Sequence, residues 1–525
     1  MTIDMYLGDA SAQITSMNTF CIEAIQAFEK AIDELNAFAR NIVLQGATYS
    51  SAKNYAHDML IPLAQGMIRL CEELIRQNDK YLTSFKADVS SMDVIEQEIL
   101  DQIKEIELTQ ERLSQIPLPP GISGSNLQGI WEATKKILVA KLDKLYQFNT
   151  TSASNYEVAI QLANQVEQGL GQVSSGFHGS SGTFSTAGMD LGWKDQLDKI
   201  YYTRKAKEKY GDYLEEHPDA LDKIITIVKY EELHPDLVEQ TNGFLSPIEK
   251  QNSKDFIEIK YLIYTAEEPQ RSLCLEYMSK YKVQFLSEQE IGKETPASFS
   301  PSGNIIKVDM GEDRSNPRGN YYTFFHEMGH AIDYYYGKEN GISSSYSSIF
   351  KTNGKTLTDY NYVDVEINIR NSLGTLLNSE VYNGLSETGK KQMIDNISKN
   401  LLMQDRNFDN LTNDEQNLQV NLQDYYYKRD GGVVSGKFAG DEAEGPSDVY
   451  GGVTDRAIQG KWGHSDGYWF DSNGKLVTNP NKECFAEFFG RTMIDGEAKE
   501  AGLESIGTYL PESKEHMEAM LDSMR

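Results

Sequence analysis

Two histidines one helical turn apart, with an acid beside them, are the residues of this sequence best suited to chemistry. They are His326, Glu327 and His330, within NPRGNYYTFFHEMGHAIDYYYG at 316–337. Nothing between Tyr321 and Tyr336 breaks a helix badly; Asn316 or Asn320 supplies a start signal and Gly337 a stop. At about 100° per residue the two imidazoles stand about 40° apart, so both reach one ion. Glu327 lies where a general base for metal-activated water belongs. Asp333, about 20° from His326 on the same face, is placed to orient a ligand imidazole through its other nitrogen. Histidines number 8 and acids 79 in 525 residues, so chance gives about 0.02 such strings per chain. The bland alternative is a surface helix with incidental histidines; the chemistry implied is Zn2+-assisted hydrolysis.

Such a site needs a third protein ligand and an open position. The extended form HExxHxxGxxH is excluded, because Asp333 and Tyr336 stand where its glycine and third histidine belong. A carboxylate from a later helix remains. NKECFAEFFGRTM, 481–493, places Glu483 and Glu487 at i, i+4 among Phe485, Phe488 and Phe489, which suggests one ligand and one supporting acid. The Gly-rich stretch at 445–470 contains His464 and Tyr468, either of which could stabilise an oxyanion. A structural loop is the plainer reading there. Asn304–Met310 alternates as a strand, and a sheet edge beside the metal would suit an extended peptide.

The elements that must position these residues differ along the chain. Residues up to about 115 read as long amphipathic helix, including a stripe of Ile95, Ile99, Ile103 and Ile106. PLPPG at 117–121 stops it, and helical spacing resumes from about Ile130 to Val166. Between 168 and 193, Gly, Ser and Thr dominate, the texture of a flexible linker. A charged helical connector covers 201–255, and from Phe256 short β-like runs, beginning with Phe256–Ile259, mix with helix. The expected architecture is multidomain. An elongated all-α bundle or hairpin occupies 1–200 and an α+β hydrolase domain occupies 256–525.

A net charge of −29 argues against a nucleic-acid partner, since phosphate binding needs a positive surface. The four cysteines are far apart and form neither a disulfide framework nor a thiolate metal site. No Sec-type leader opens the sequence, and no apolar run approaches a membrane span.

HEMGHAIDYYYG followed about 150 residues later by ECFAEFF resembles the catalytic domain of anthrax-lethal-factor-like metallopeptidases. The resemblance implies a zincin-like, gluzincin-type fold. It makes His326, His330 and Glu483 the zinc ligands and Glu327 the base, with Asp333 and Glu487 in support. The family's catalytic Tyr, a few residues before its ligand Glu, has no counterpart in Leu476–Asn479. The N-terminal half resembles an LXG domain through Leu44-Gln45-Gly46, Tyr49, Ala52, Tyr55 and IPLAQG at 61–66. That likeness implies a polymorphic toxin made in the cytoplasm and exported by a type VII system without a signal peptide. Its implied partners are small helical targeting proteins on the N-terminal helices and a cognate immunity protein. The stretch SDVYGGVTDRAIQGKWGHSDGYW is similar to a segment of phage minor head proteins, which are structural. The expectation is therefore a secreted antibacterial or effector toxin acting as a zinc metalloendopeptidase. The alternatives are a phage-head-like structural protein with a non-catalytic metal site and a zinc hydrolase of a cell-wall amide bond.

Overall fold

The computed structural model describes residues 2–41, 43–115, 124–173, 175–286, 297–342, 345–402, 407–465, 467–472 and 480–524. It is mostly helical with small sheets and divides into two compact units, Met1–Glu216 and His217–Arg525. The PLPPG break and Leu476–Asn479 lie outside the described residues.

The first unit consists of α1 (Leu7–Arg40), α2 (Ala47–Tyr55), α3 (Ile61–Asp88), α4 (Glu96–Gln115), α5 (Gly124–Ser152), α6 (Glu157–Val173) and α7 (Gly192–Glu216). α1 and α6 pack against α3, α7 against α6, and α5 against α4. Two short strands, β1 (Asp4–Met5) and β2 (Val94–Ile95), pair antiparallel. They close an apolar cluster of Met5, Phe85, Val94, Ile99, Leu142, Leu145 and Phe148. Ile95, expected in the α4 stripe, lies in β2 instead, because the pairing with Asp4 holds its backbone extended.

The Gly/Ser-rich stretch is folded rather than loose. α6 runs to Val173, and β3 (Phe177–His178) and β4 (Thr183–Phe184) form a hairpin against α2. The Phe184 N–H donates to Ser51 Oγ at 3.0 Å, and the Tyr55 hydroxyl donates to the Val173 carbonyl at 2.9 Å. A few aromatic anchors fix what composition reads as a linker. The unit boundary accordingly falls after α7, and the expected 201–255 connector is shared between the units.

The second unit opens with α8 (Leu221–Leu233), α9 (Pro235–Gln251), α10 (Ser253–Thr265) and α11 (Gln270–Tyr277). Phe256–Ile259, expected to be β-like, lies inside α10. Phe256, Ile257 and Ile259 are all buried, and over those few residues the apolar run with a single polar Glu258 mimics a strand; the outer stripe of Lys254, Glu258, Tyr261 and Thr265 shows only over the full helix. The Asn252 side chain caps it by accepting from Lys254 N and Asp255 N. A three-stranded sheet follows: β5 (Lys282–Phe285), β6 (Ala297–Ser300) and β7 (Ile305–Val308), in the order β5-β7-β6. β7 pairs parallel with β5 and antiparallel with β6. The Asn304–Met310 strand is therefore central, and a peptide cannot add to it. Among the described residues the open edges belong to β5 and β6, and β6 lies against the histidine-bearing helix.

That helix is α13 (Tyr322–Glu339), entered from α12 (Met310–Asp313). α14 (Leu357–Leu377), α15 (Glu387–Leu401), α16 (Asn413–Tyr426), a hairpin of β8 (Lys428–Asp430) and β9 (Val433–Ser435), α17 (Glu444–Thr454), α18 (Pro480–Met493), α19 (Gly496–Tyr509) and α20 (Pro511–Ser523) complete the unit. α13 and α18 cross at very short range. A Cβ added to Gly329 would lie 3.0 Å from Ala486 Cα and 3.1 Å from Phe489 Cβ; one added to Gly490 would lie 3.2 Å from the His326 nitrogen. The two glycines let the backbones meet where the functional side chains sit. Gly329→Ala must push rigid backbone apart, so a loss of about 1–3 kcal/mol is expected in thermal unfolding. Gly374→Ala on α14, where nothing lies within 4 Å, is expected to gain about 0.5–1 kcal/mol. Equal stability of Gly329→Ala and the native protein would contradict the crossing.

Candidate metal centre

The start of α13 is fixed by a remote carboxylate. Tyr321, at its N-terminal boundary, is left-handed (φ 62°) and offers no side-chain cap. The buried Asp313 instead accepts from the N–H groups of Thr323 at 3.0 Å and Phe324 at 2.8 Å. Asn316, expected as the cap, donates to Asp313 and to Thr323 Oγ1. It supports the cap without being it. The helix continues two residues past Gly337.

Held this way, α13 points His326 and His330 at α18. Nε2 of His326 lies 3.4 Å from Glu483 Oε2, and Nε2 of His330 lies 3.3 Å from the same oxygen. A tetrahedral zinc with bonds of about 2.0–2.2 Å separates neighbouring donors by about 3.3–3.5 Å. Both measured separations fall in that interval, so two imidazoles and one carboxylate fit a single ion. Glu487 lies behind them, with Oε1 3.2 Å from His326 Nδ1. Of the two α18 acids, Glu483 faces both imidazole Nε2 atoms, and Glu487 is placed to fix the ring of one.

Glu487 is anchored from its far side. The Tyr322 hydroxyl donates to its other oxygen. The Arg491 and Arg318 guanidiniums lie 4.4 Å and 5.1 Å from the Tyr322 ring centroid. Arg318 pairs with Glu444 and sits 5.0 Å over Trp462. Asp333, by contrast, does not reach an imidazole nitrogen. Its two oxygens accept from the backbone N–H and hydroxyl of Ser347, at 2.7 and 2.5 Å. It secures the turn after α13 instead, and burial lifts its carboxyl to about 6.

Glu327 is buried, and among the described residues no hydrogen bond or ion pair occupies its carboxylate. It is available to a ligand. Tyr468 donates its hydroxyl to Glu483 Oε1. The His464 ring stacks on it at 3.6 Å with an interplanar angle of 4°. The structure thus brings His326, Glu327, His330, Glu483, Glu487, His464 and Tyr468 into one centre. Tyr468 stands 15 residues before Glu483, farther than the pattern of the lethal-factor-like family places its tyrosine.

No family model matches the chain, and no solved structure matches it. Over 205 residues it is 47% identical to a Bacillus cereus protein named "Toxin". The match covers 38% of this chain and 37% of that protein, so the chain spans well under half of the relative's length.

The residues that sequence reasoning missed are on α17. The Gly-rich stretch expected as a loop begins as this wholly buried helix, which brings Glu444 and Asp448 to the centre. Asp448, His464 and Glu483 present donor atoms within 4.8 Å of one another, as do Glu444, Asp448 and Glu487. The i, i+4 spacing of Glu444 and Asp448, repeated by Glu483 and Glu487, was the available signal. Pro446 and three glycines hid it. Burial, then the charge of Glu487, lifts the Glu444 carboxyl to about 8.

Burial opposes charge on Glu483, yet the two imidazoles outweigh it and hold its carboxyl well below the usual range. Burial likewise disfavours a charged His326, and Glu483 and Glu487 more than reverse this, raising it well above its ordinary value. An entering cation therefore competes with a proton for His326. Zinc titration by calorimetry in buffers of differing ionisation enthalpy is expected to show about one proton released per ion near neutrality. Affinity is expected to fall as pH drops. Proton-independent binding would mean that His326 is not a ligand.

Proposed function

We propose that the chain is a toxin whose second unit is a zinc-dependent endopeptidase and whose first unit serves its export. The observation that carries the enzymatic reading is the meeting of His326 Nε2, His330 Nε2 and Glu483 Oε2 at 3.3–3.4 Å. Glu327 on the same helix supports it. Zinc held there supplies Lewis acidity, which makes water acidic near neutral pH and polarises a carbonyl group. Glu327 accepts the proton of the attacking water and passes it to the departing amine. Tyr468, whose burial keeps its hydroxyl protonated, turns that one proton from Glu483 Oε1 to the developing oxyanion as charge builds there. His464 holds the phenol ring by stacking, a role the geometry favours over donation by His464 itself.

The toxin reading draws on the similarity to the Bacillus cereus protein. Export by a type VII-like route rests on the LXG-like residues around Leu44-Gln45-Gly46 in the helical first unit. Small helical targeting proteins on that unit and an immunity protein over the second complete the reading. Among the described residues, no helix is long and apolar enough to cross a membrane.

The test is Glu327→Gln, which keeps the size of the side chain and removes its basicity. Cleavage of a peptide library and growth inhibition on expression in bacteria are both expected to be lost, with one zinc per chain retained by elemental analysis. Tyr468→Phe is expected to lower kcat about 10²–10³-fold. Undiminished toxicity in Glu327→Gln would rule out the hydrolytic reading.

A further inference from the structure

Asp448 is a buried carboxylate that the proposed chemistry does not use. It projects from α17, is 4% exposed, and its Oδ1 has no hydrogen-bond partner. Its Oδ2 lies 3.3 Å from His464 Nε2, an ion-pair contact without hydrogen-bond geometry, and no other described group pairs with that buried nitrogen. For stability alone, a well-packed apolar pair in place of both groups is often as good. What the carboxylate adds is one preferred place for the imidazole.

The imidazole in turn fixes Tyr468. The two rings are parallel within 4° at 3.6 Å. Trp469 meets both edge-on, at 5.2 Å from His464 and 4.8 Å from Tyr468. Trp469 is itself seated on α17, where a Cβ added to Gly452 would lie 3.0 Å from its ring. The phenol is thus gripped on one face by His464 and at one edge by Trp469. Both grips lead back to α17, which packs on the α18 helix that carries Glu483.

Resting on the peptidase reading, we propose that Asp448 is a positioning residue: through His464 it sets where the Tyr468 hydroxyl stands relative to Glu483. The consequence is specific. A misplaced phenol costs stabilisation of the oxyanion and leaves substrate binding and the three metal donors as they were.

The experiment uses the full chain, zinc-loaded, with a peptide that the native protein cleaves. Asp448→Asn, of matching shape, is expected to lower kcat about 10–100-fold with KM and zinc content unchanged. Asp448→Glu is expected to recover part of the rate. The double variant of Asp448→Asn with Tyr468→Phe is expected to be no slower than Tyr468→Phe alone, because both remove the same interaction. A merely structural role predicts additive losses and a rise in KM with unfolding. Should Asp448→Asn fold poorly, His464→Gln is put through the same cycle. Native kcat in Asp448→Asn, additivity in the cycle, or loss of zinc would each overturn the positioning role while leaving the peptidase reading intact. Absence of any cleavage by the native protein defeats the peptidase reading itself.

Discussion

Burying negative charge is costly, and the second unit is organised around that cost. Glu327, Glu444, Asp448, Glu483 and Glu487 are all buried, with donor atoms of several within 4.8 Å of one another. Carboxylates so close cannot all ionise out of water unless positive groups lie among them. Two guanidiniums do, and three imidazoles face the acids. Arg318 reaches Glu444, and Arg491 backs Tyr322. His326, His330 and His464 each lie 3.2–3.4 Å from an acid. Four structural pieces converge to make this possible: α13, α17, α18 and the loop that carries His464 and Tyr468.

Convergence of that kind requires helices that approach more closely than ordinary side chains allow. Gly329 sits inside the HEMGH string itself, and its lack of a side chain lets α18 come within contact of the α13 backbone. Gly490 does the same from the other helix. The motif thus encodes its chemistry and its packing in the same five residues. The cap supplied by Asp313 then sets the azimuth of α13, since it ties the first free N–H groups to a buried carboxylate that cannot rotate away. Ligand direction follows from packing on one side and capping on the other.

This division explains what was legible in the sequence. His326, Glu327 and His330 follow from helical spacing alone, and Glu483 with Glu487 from a second spacing amid aromatic bulk. Both are local patterns on helices. Asp333 was misjudged because azimuth says which face a residue occupies, not which neighbour takes its hydrogen bonds; Ser347 does. Phe256–Ile259 was misjudged because four residues are too few to show the helical period, which in α10 emerges only with the outer residues Lys254, Glu258, Tyr261 and Thr265. The strand at Ile305–Val308 was found, but its place in the middle of the sheet depends on β5 and β6, which local alternation does not reveal. α17 hid behind a proline and glycines that serve close packing there, not a turn. Tyr468 was found as a candidate, and only tertiary structure shows how a tyrosine so far from Glu483 in sequence comes to donate to it.

The same charge balance bears on what the centre can take up. Five carboxylates exceed two guanidiniums, and the acids facing His326 hold it well above its ordinary value. A divalent ion entering between the Nε2 atoms replaces proton charge with metal charge at nearly the same place. Of the five acids, Glu327 is the one that no described residue holds by a hydrogen bond or ion pair. A general base needs that freedom: a carboxylate already satisfied by the scaffold has no affinity left for the proton it is meant to take.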